Sequence, residues 1–521
     1  MKLNNYNKKR RNQFKYFLIL LIIISLIGSL VYFFYYSESS RKLSQSNSEI
    51  NVQNYITEKE TKYEYKFTQY FVPVTNLKNY KNNINIDELK NIKELYALQK
   101  DKLALTQILE KLNITLNLKY LDNIEDFYNT IQRDKDAVGI LSLDELDIRV
   151  KALSFENHFL FDREKKGNEY LLSYAEIKIS PEKTDDQTNY SHSDLNILIH
   201  TGSMIPGRGV ETFTRRIHNG DYTRLFEGTK SILFKPDILT GTFEAPVLGK
   251  GNGATCGSCV QFIGNEKFID AVVSVGYDYF SLAANHIMDG GVDGLKRTQE
   301  LLSQNNILYN GASLIGRDDA AKPVLIEKNG LKLVFIAFND TPGRNQWADE
   351  NTPGAANISD WIIDSQGRTI KYEPNIERIK KYIDNAKALN PDFVIAVMHW
   401  GGREYVAEAL PYQRTLAKLL IENGVDIILG DHVHWVQQIE FIDDKPVFYG
   451  VGNYIFDQMW SIETRQGIFI ELIFYKNKLI NFRLHPHQLY LYDKGYPELL
   501  DENSKEYRQT LERIFSVSEN I

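Results

Sequence analysis

The sequence predicts an α/β fold whose sheets are covered on both faces, and two observations predict it. Seven apolar segments ("LNILIHTGS", "DILTGTFE", "DYFSLAANH", "KLVFIAFND", "DFVIAVMHWGG", "VDIILGDHVH" and "PVFYGVGN") end in Gly, Asn, His or acid. Amphipathic helical stretches lie between several of them, the alternation of βα units. The segments also lack polar alternation, as strands buried on both faces do. In open sheets of this kind the functional site sits beyond the carboxyl ends of the strands.

The elements follow in order. Residues 1–15 are a basic tail carrying Lys2, Lys8, Lys9, Arg10, Arg11 and Lys15 without an acid. Tyr16 to Tyr36 is a 21-residue uncharged run, long enough to cross a hydrocarbon core of roughly 30 Å as a helix. A cleaved signal peptide would have a shorter apolar stretch and a small-residue cleavage site, and "FFYYSESS" provides none. The expectation is a single-pass signal anchor in the cytoplasmic membrane. Its basic flank stays inside and everything from Ser37 onward lies outside. Residues 37–62 are polar and aperiodic and read as a tether.

Residues 63–180 read as a small α/β domain: a strand at "YKFTQYFVPV", a helical stretch at "DELKNIKELYALQKDKLALTQILEKL", then strands at "AVGIL" and "VKAL". "PEKTDDQTNYSHSD", 181–194, reads as a linker; the main domain occupies 195–490, and 491–521 form a helical tail. At 43% hydrophobic and 25% charged the chain supports more than one core. A formal net charge of −7 argues against a nucleic-acid partner, which requires a basic face. The two cysteines, Cys256 and Cys259 in "TCGSCV", suit a local disulfide outside the membrane, with free thiols, metal binding or redox chemistry as the other readings.

Histidines gather at the strand ends. His432 and His434 are one residue apart after "GVDIILG", and on an extended backbone their side chains would share a side. His286 follows Asn285 in "ANHIMD", and His399 stands in "MHWGG". Taken alone, the His432/His434 pair reads equally as ligands or as a hydrogen-bonded surface pair, and His286 and His399 read as structural residues. Together, neutral imidazoles with an amide oxygen and a carboxylate suit zinc, iron or manganese, and such a site would polarise a phosphoryl oxygen and activate water.

The motifs "AANHIMDGGVDGL", "MHWGGREY", "GDHVHWVQQIE" and "FYGVGNYIFDQ", with "IPGRGV" at 205–210, resemble the successive motifs of the poly-gamma-glutamate capsule-synthesis CapA family, over about Asn196 to Pro486. The resemblance implies a calcineurin-like metallophosphoesterase sandwich of two mixed sheets flanked by helices, with metal ligands on loops at one end. It implies Asn285, His286, His399, His432 and His434 as ligands with Glu244, and Asp289 as the group orienting His286. His286 or Asp289 would shuttle protons, Arg208 would face the anionic substrate, and Asn453 and Asp457 would line the floor, a tight turn with a capping Asn being an equal reading of that last motif. The chain departs from the family twice: Ser203 in "TGSMIPGR" stands where relatives have Asp, and Thr242 in "GTFEAP" where they have Asn. One divalent cation (Mn, Fe or Zn) is therefore expected rather than two; His200 could in principle substitute for the acid, but its place on the strand "NILIH" reads as core instead. In the small domain, "FVPVTN" and "DAVGILSLDELDIRVKAL" resemble a truncated periplasmic-binding-protein-like segment, and Asp147 and Arg149 read as solvated loop charges.

Two functions fit. One is a membrane-anchored, metal-dependent hydrolase or transferase acting on an anionic envelope polymer such as poly-gamma-glutamate, within a membrane-bound synthesis complex. The alternative is a non-catalytic component that binds the polymer and retains the fold. A lipoprotein-like receptor is disfavoured, since no lipobox cysteine follows the apolar run.

Overall fold

The computed structural model describes residues 63–165, 169–180, 185–251, 261–341, 346–363, 369–519 and 521. The apolar run Tyr16–Tyr36, the tether and the two cysteines lie outside them. Among the described residues no helix is long and apolar enough to cross a membrane. Tyr65–Lys178 and Asp185–Ile521 belong to one compact unit.

All seven apolar segments are strands, divided between two mixed sheets. The first, eight-stranded, runs in space Leu308–Asn310, Tyr279–Ser281, Ile238–Phe243, Leu195–Met204, Gln466–Tyr475, Lys478–Leu489, Pro497–Leu499, with Asn453–Ile455 pairing beside Leu195–Met204. The second runs Val324–Lys328, Leu331–Asp340, Phe393–Trp400, Ile427–Asp431, Lys445–Phe448, Ile439–Ile442. Leu308–Asn310 through Leu195–Met204 run parallel in the first sheet, beyond which Gln466–Tyr475 is antiparallel, and Leu331–Asp340 through Lys445–Phe448 run parallel in the second.

One face of each sheet meets the other. Leu198, Ile470 and Leu472 of the first pack with Phe335, Ile395 and Leu429 of the second in one buried cluster. Each such side chain contributes roughly 1.5–3 kcal/mol of burial. The outer face of the second sheet is covered by helices Ile376–Lys387 and Pro411–Asn423, through Ile383, Leu416 and Leu420 against Val334 and Ile336. The second of these helices has Pro at its first position, where no N–H is needed. It stops at Gly424, whose φ of +113° closes the turn.

In residues 63–180 the helical expectation for "DELKNIKELYALQKDKLALTQILEKL" is corrected. Helices Ile86–Asn91 and Lys102–Lys111 flank a strand, Leu95–Leu98, that pairs in parallel with both Leu118–Leu121 and Val138–Ser142. Leu95, Ala97 and Leu98 are buried, and burial between two strands outweighs a local preference unmarked by Gly or Pro. Within 181–194, described from 185, Gln187–Thr188 forms a short strand against Phe67 and Thr68. Arg149 is paired with Asp147 and Glu125 and lies over the Tyr128 ring.

Candidate functional site

The carboxyl ends of the parallel strands deliver the predicted residues to one place. Ser203 and Thr242 are register partners on adjacent strands, and Ser203 also pairs with Asn453. In the second sheet His399 is the register partner of Asp431. Two glycines make these approaches possible. A Cβ on Gly202 would lie 2.2 Å from the Gly452 carbonyl oxygen, and one on Gly430 would lie 2.1 Å from the Tyr449 carbonyl oxygen.

His432 and His434 converge by a different route from strand alternation. Their strand ends at Asp431, and both histidines adopt left-handed backbone, φ +92° and +61°. Such conformations cost about 1–3 kcal/mol each in non-glycine residues and collect at functional sites. The turn leaves the two rings 6.1 Å apart, with His432 4.8 Å from the His399 ring.

Hydrogen bonds fix two of the four imidazoles. Asn453 Nδ2 donates to Gln458 Oε1 and to the Thr464 carbonyl, so its oxygen accepts from His434 Nδ1 at 2.8 Å. His286 Nδ1 donates to Asp289 Oδ2 at 2.8 Å, and that carboxylate also accepts from the Phe262 N–H. In both residues Nε2 is left as the lone-pair nitrogen. His399 Nε2 faces the Asn285 side-chain oxygen at 2.9 Å and Glu244 Oε1 at 3.7 Å. Burial, then repulsion from the neighbouring imidazoles, pushes His399 well below the usual histidine range and His432 down to about 3. Burial also lowers His434. All three are held neutral, the form a cation requires.

The carboxylates are equally buried. Glu244 is 0% exposed and neither of its oxygens has a hydrogen-bond partner. Burial and the nearby Asp431 charge raise it well above the carboxylate range. Asp431, 1% exposed, is raised to about 7 by burial, opposed by the neighbouring Ser203 and Thr242 hydroxyls. Those hydroxyls lie beside the carboxylates without completing hydrogen-bond geometry. Sequence reasoning passed over Asp431; the signal was an acid standing directly between an apolar strand and the first histidine.

Arg208 is on the rim but engaged. Its guanidinium forms a two-pronged pair with Asp457, Nε to Oδ2 at 3.0 Å, and lies 4.5 Å from the Phe262 ring centroid and 5.7 Å from that of Phe456. Asp457 also accepts from the Gly209 N–H, so it anchors the start of the Arg208–His218 helix. His200 is apart from the cluster: it is fully buried, and its Nδ1 meets the Thr240 hydroxyl at 3.0 Å.

Among the described residues, no three His, Cys, Asp or Glu side chains stand close enough as placed to hold a metal ion. The donor set nonetheless fits one chemically. Unpartnered buried atoms include both Glu244 oxygens, Asp431 Oδ2, and Nδ1 of His399 and His432. Buried polar atoms are rarely left so, and neutral imidazole with carboxylate is the ligand set of zinc, iron and manganese.

Over residues 197–458 the chain matches the family described as bacterial capsule synthesis protein PGA_cap. It is similar to the PGA biosynthesis protein CapA of Bacillus subtilis (strain 168), 28% identical over 318 residues, 61% of this chain and 77% of that protein. Similarity to the capsule biosynthesis protein CapA of Bacillus anthracis is 29% identity over 285 residues, 54% of this chain and 65% of the relative. Among solved structures it is similar to a novel phosphatase from Mycoplasma pneumoniae, at 11% identity over 56% of this chain and 93% of the other, with a TM-score of 0.34. An overlap that low says nothing about the site.

Proposed function

We propose, from the premise that this chain belongs to the bacterial capsule synthesis protein PGA_cap family, that it is a membrane-anchored, extracytoplasmic protein of envelope-polymer synthesis or export. Its polymer is an anionic chain of the poly-gamma-glutamate type, and its imidazole–carboxylate cluster holds one divalent cation used in hydrolysis or transfer. The observation that carries the reading is the gathering of His286, His399, His432 and His434 around buried carboxylates with unpartnered oxygens. The name of the Bacillus subtilis relative, a PGA biosynthesis protein, supports the polymer class, that of the Bacillus anthracis relative supports a capsule role, and the Tyr16–Tyr36 run supports the anchor.

A bound divalent cation would polarise a phosphoryl or carbonyl oxygen of the substrate. The chain's own groups do the rest. Asp289 orients His286 so that its Nε2 accepts a proton from water or returns one to a leaving group. Asn453 holds the His434 ring, and Asn285 with Glu244 faces His399. Arg208, neutralised by Asp457 beside two phenyl rings, would meet an anionic chain at the rim only by exchanging that partner.

A second reading, polymer binding without catalysis, is favoured by one feature: the hydroxyls of Ser203 and Thr242 are poor ligands for a cation. Incubating the purified protein with poly-gamma-glutamate and with phosphoesters, with and without Mn²⁺, separates the two. Cation-dependent cleavage lost in a His432→Ala, His434→Ala variant supports the enzyme. Polymer binding without cleavage, equal in both proteins, supports the binding component.

A further inference from the structure

Two carboxylates enter the site from different sheets, and among the described residues no Lys or Arg pairs with either. Glu244 follows the Ile238–Phe243 strand of the first sheet, and Asp431 ends the Ile427–Asp431 strand of the second. Among the described residues the sole ion-pair contact of either is His399 Nε2, 3.7 Å from Glu244. Asp431 Oδ1 accepts the His432 N–H at 3.0 Å, while Oδ2 has no partner. The hydroxyls of Ser203 and Thr242, register partners exposed by 0% and 1%, are also without one. With both Glu244 oxygens this makes five buried oxygen atoms without a hydrogen-bond partner, all Lewis bases. Burying that many oxygen lone pairs without a partner is unfavourable, and the raised pKa of both acids is its counterpart.

Geometry distinguishes the two faces of Asp431. The Oδ1 face is tied to the backbone of the histidine turn, so the carboxylate is oriented. The Oδ2 face is turned to the Ser203–Thr242 pair, whose side chains are too short and too weakly basic to bind a cation themselves. Asp431, from the second sheet, adds a carboxylate beside the two hydroxyls, as Glu244 does from the first.

We propose that Asp431 is a direct ligand of the divalent cation together with Glu244, its carboxylate supplying the charge that the neighbouring Ser203 and Thr242 hydroxyls lack. This rests on the reading of the cluster as a cation site and adds a ligand that the histidine motifs do not contain. Oxygen donors on this side favour Mn²⁺ or Mg²⁺ over softer ions.

The test is Mn²⁺ binding to the full chain by equilibrium dialysis, with thermal unfolding of each variant followed in parallel. Asp431→Asn keeps the shape and removes the charge, and should weaken Mn²⁺ binding about 100-fold, the upper end of what losing even an outer partner of a site costs. Asp431→Ser should also lose binding, and adding Ser203→Asp should restore it by returning a carboxylate to the same space. Wild-type affinity in a folded Asp431→Asn variant overturns the proposal and leaves the cation site standing. No Mn²⁺ bound by the wild type overturns the cation site and the proposal together. Failure of the Ser203→Asp, Asp431→Ser pair to recover binding while folded overturns the claim that a carboxylate in this space is what binds the cation.

Discussion

His200 tests whether the histidines have been sorted correctly into ligands and core. It lies on the Leu195–Met204 strand, 0% exposed, bonded through Nδ1 to Thr240, with Nε2 unpartnered. Burial lowers it from the ordinary histidine value of 6.5 to about 3 in the folded protein. Because the folded value lies below the unfolded one, the associated stability is complete above pH 6.5 and is lost as pH falls towards 3. Each pH unit in that window corresponds to about 1.4 kcal/mol, so moving from neutral pH to pH ~5 removes about 2 kcal/mol. A His200→Asn variant loses packing at every pH but does not titrate. The stability gap between wild type and variant, from urea unfolding at the two pH values, should therefore narrow by about 2 kcal/mol at the lower one. A gap that does not change with pH would refute the buried, neutral assignment. A loss of bound metal in the variant would refute the separation of His200 from the ligand set.

Three further outcomes follow from particular contacts. Gly202→Ala places a Cβ 2.2 Å from the Gly452 carbonyl; the clash is with backbone, so the urea midpoint should fall by the equivalent of about 3 kcal/mol, and an unchanged midpoint would mean that the two segments are not so closely apposed. Tyr412 donates to the buried Asp340 carboxylate at 2.7 Å, and Tyr412→Phe should cost about 2 kcal/mol, the worth of a hydrogen bond to a charged group; a neutral substitution would show that Ser359 and Tyr372 suffice. Deleting residues 1–36 should move the protein from the membrane fraction to the soluble one, measured by fractionation, whereas retention in the membrane would place the anchor elsewhere.

Much of the main domain was legible because its signals are local. Continuous apolar runs ending in small or polar residues marked seven segments and all seven formed, but the long antiparallel pair Gln466–Tyr475 and Lys478–Leu489 inside the first sheet was not among them. The Leu95–Leu98 strand was not legible: nothing in "NIKELYALQKD" interrupts a helical pattern, and its two parallel partners lie elsewhere in the chain. The histidine motifs named the residues that gather, but not how they do so. A two-residue spacing on a strand suggested convergence by alternation, and the backbone instead turns left-handed at His432 and again at His434. The Arg208 side chain was expected to face substrate, and its pairing with Asp457, 249 positions away, is a tertiary fact that spacing cannot carry. Asp431 escaped notice for the same reason, since its meaning depends on Ser203 and Thr242 in the other sheet.

The central claim, that the imidazole–carboxylate cluster is a cation site, is tested most directly by the metal content of the purified protein beside a His432→Ala, His434→Ala variant of matched folding. The account predicts about one equivalent of divalent transition metal in the wild type and its loss in the variant. No metal in either protein, after exposure to Mn²⁺, Fe²⁺ and Zn²⁺ and with both folded, would contradict it and leave a polymer-binding component.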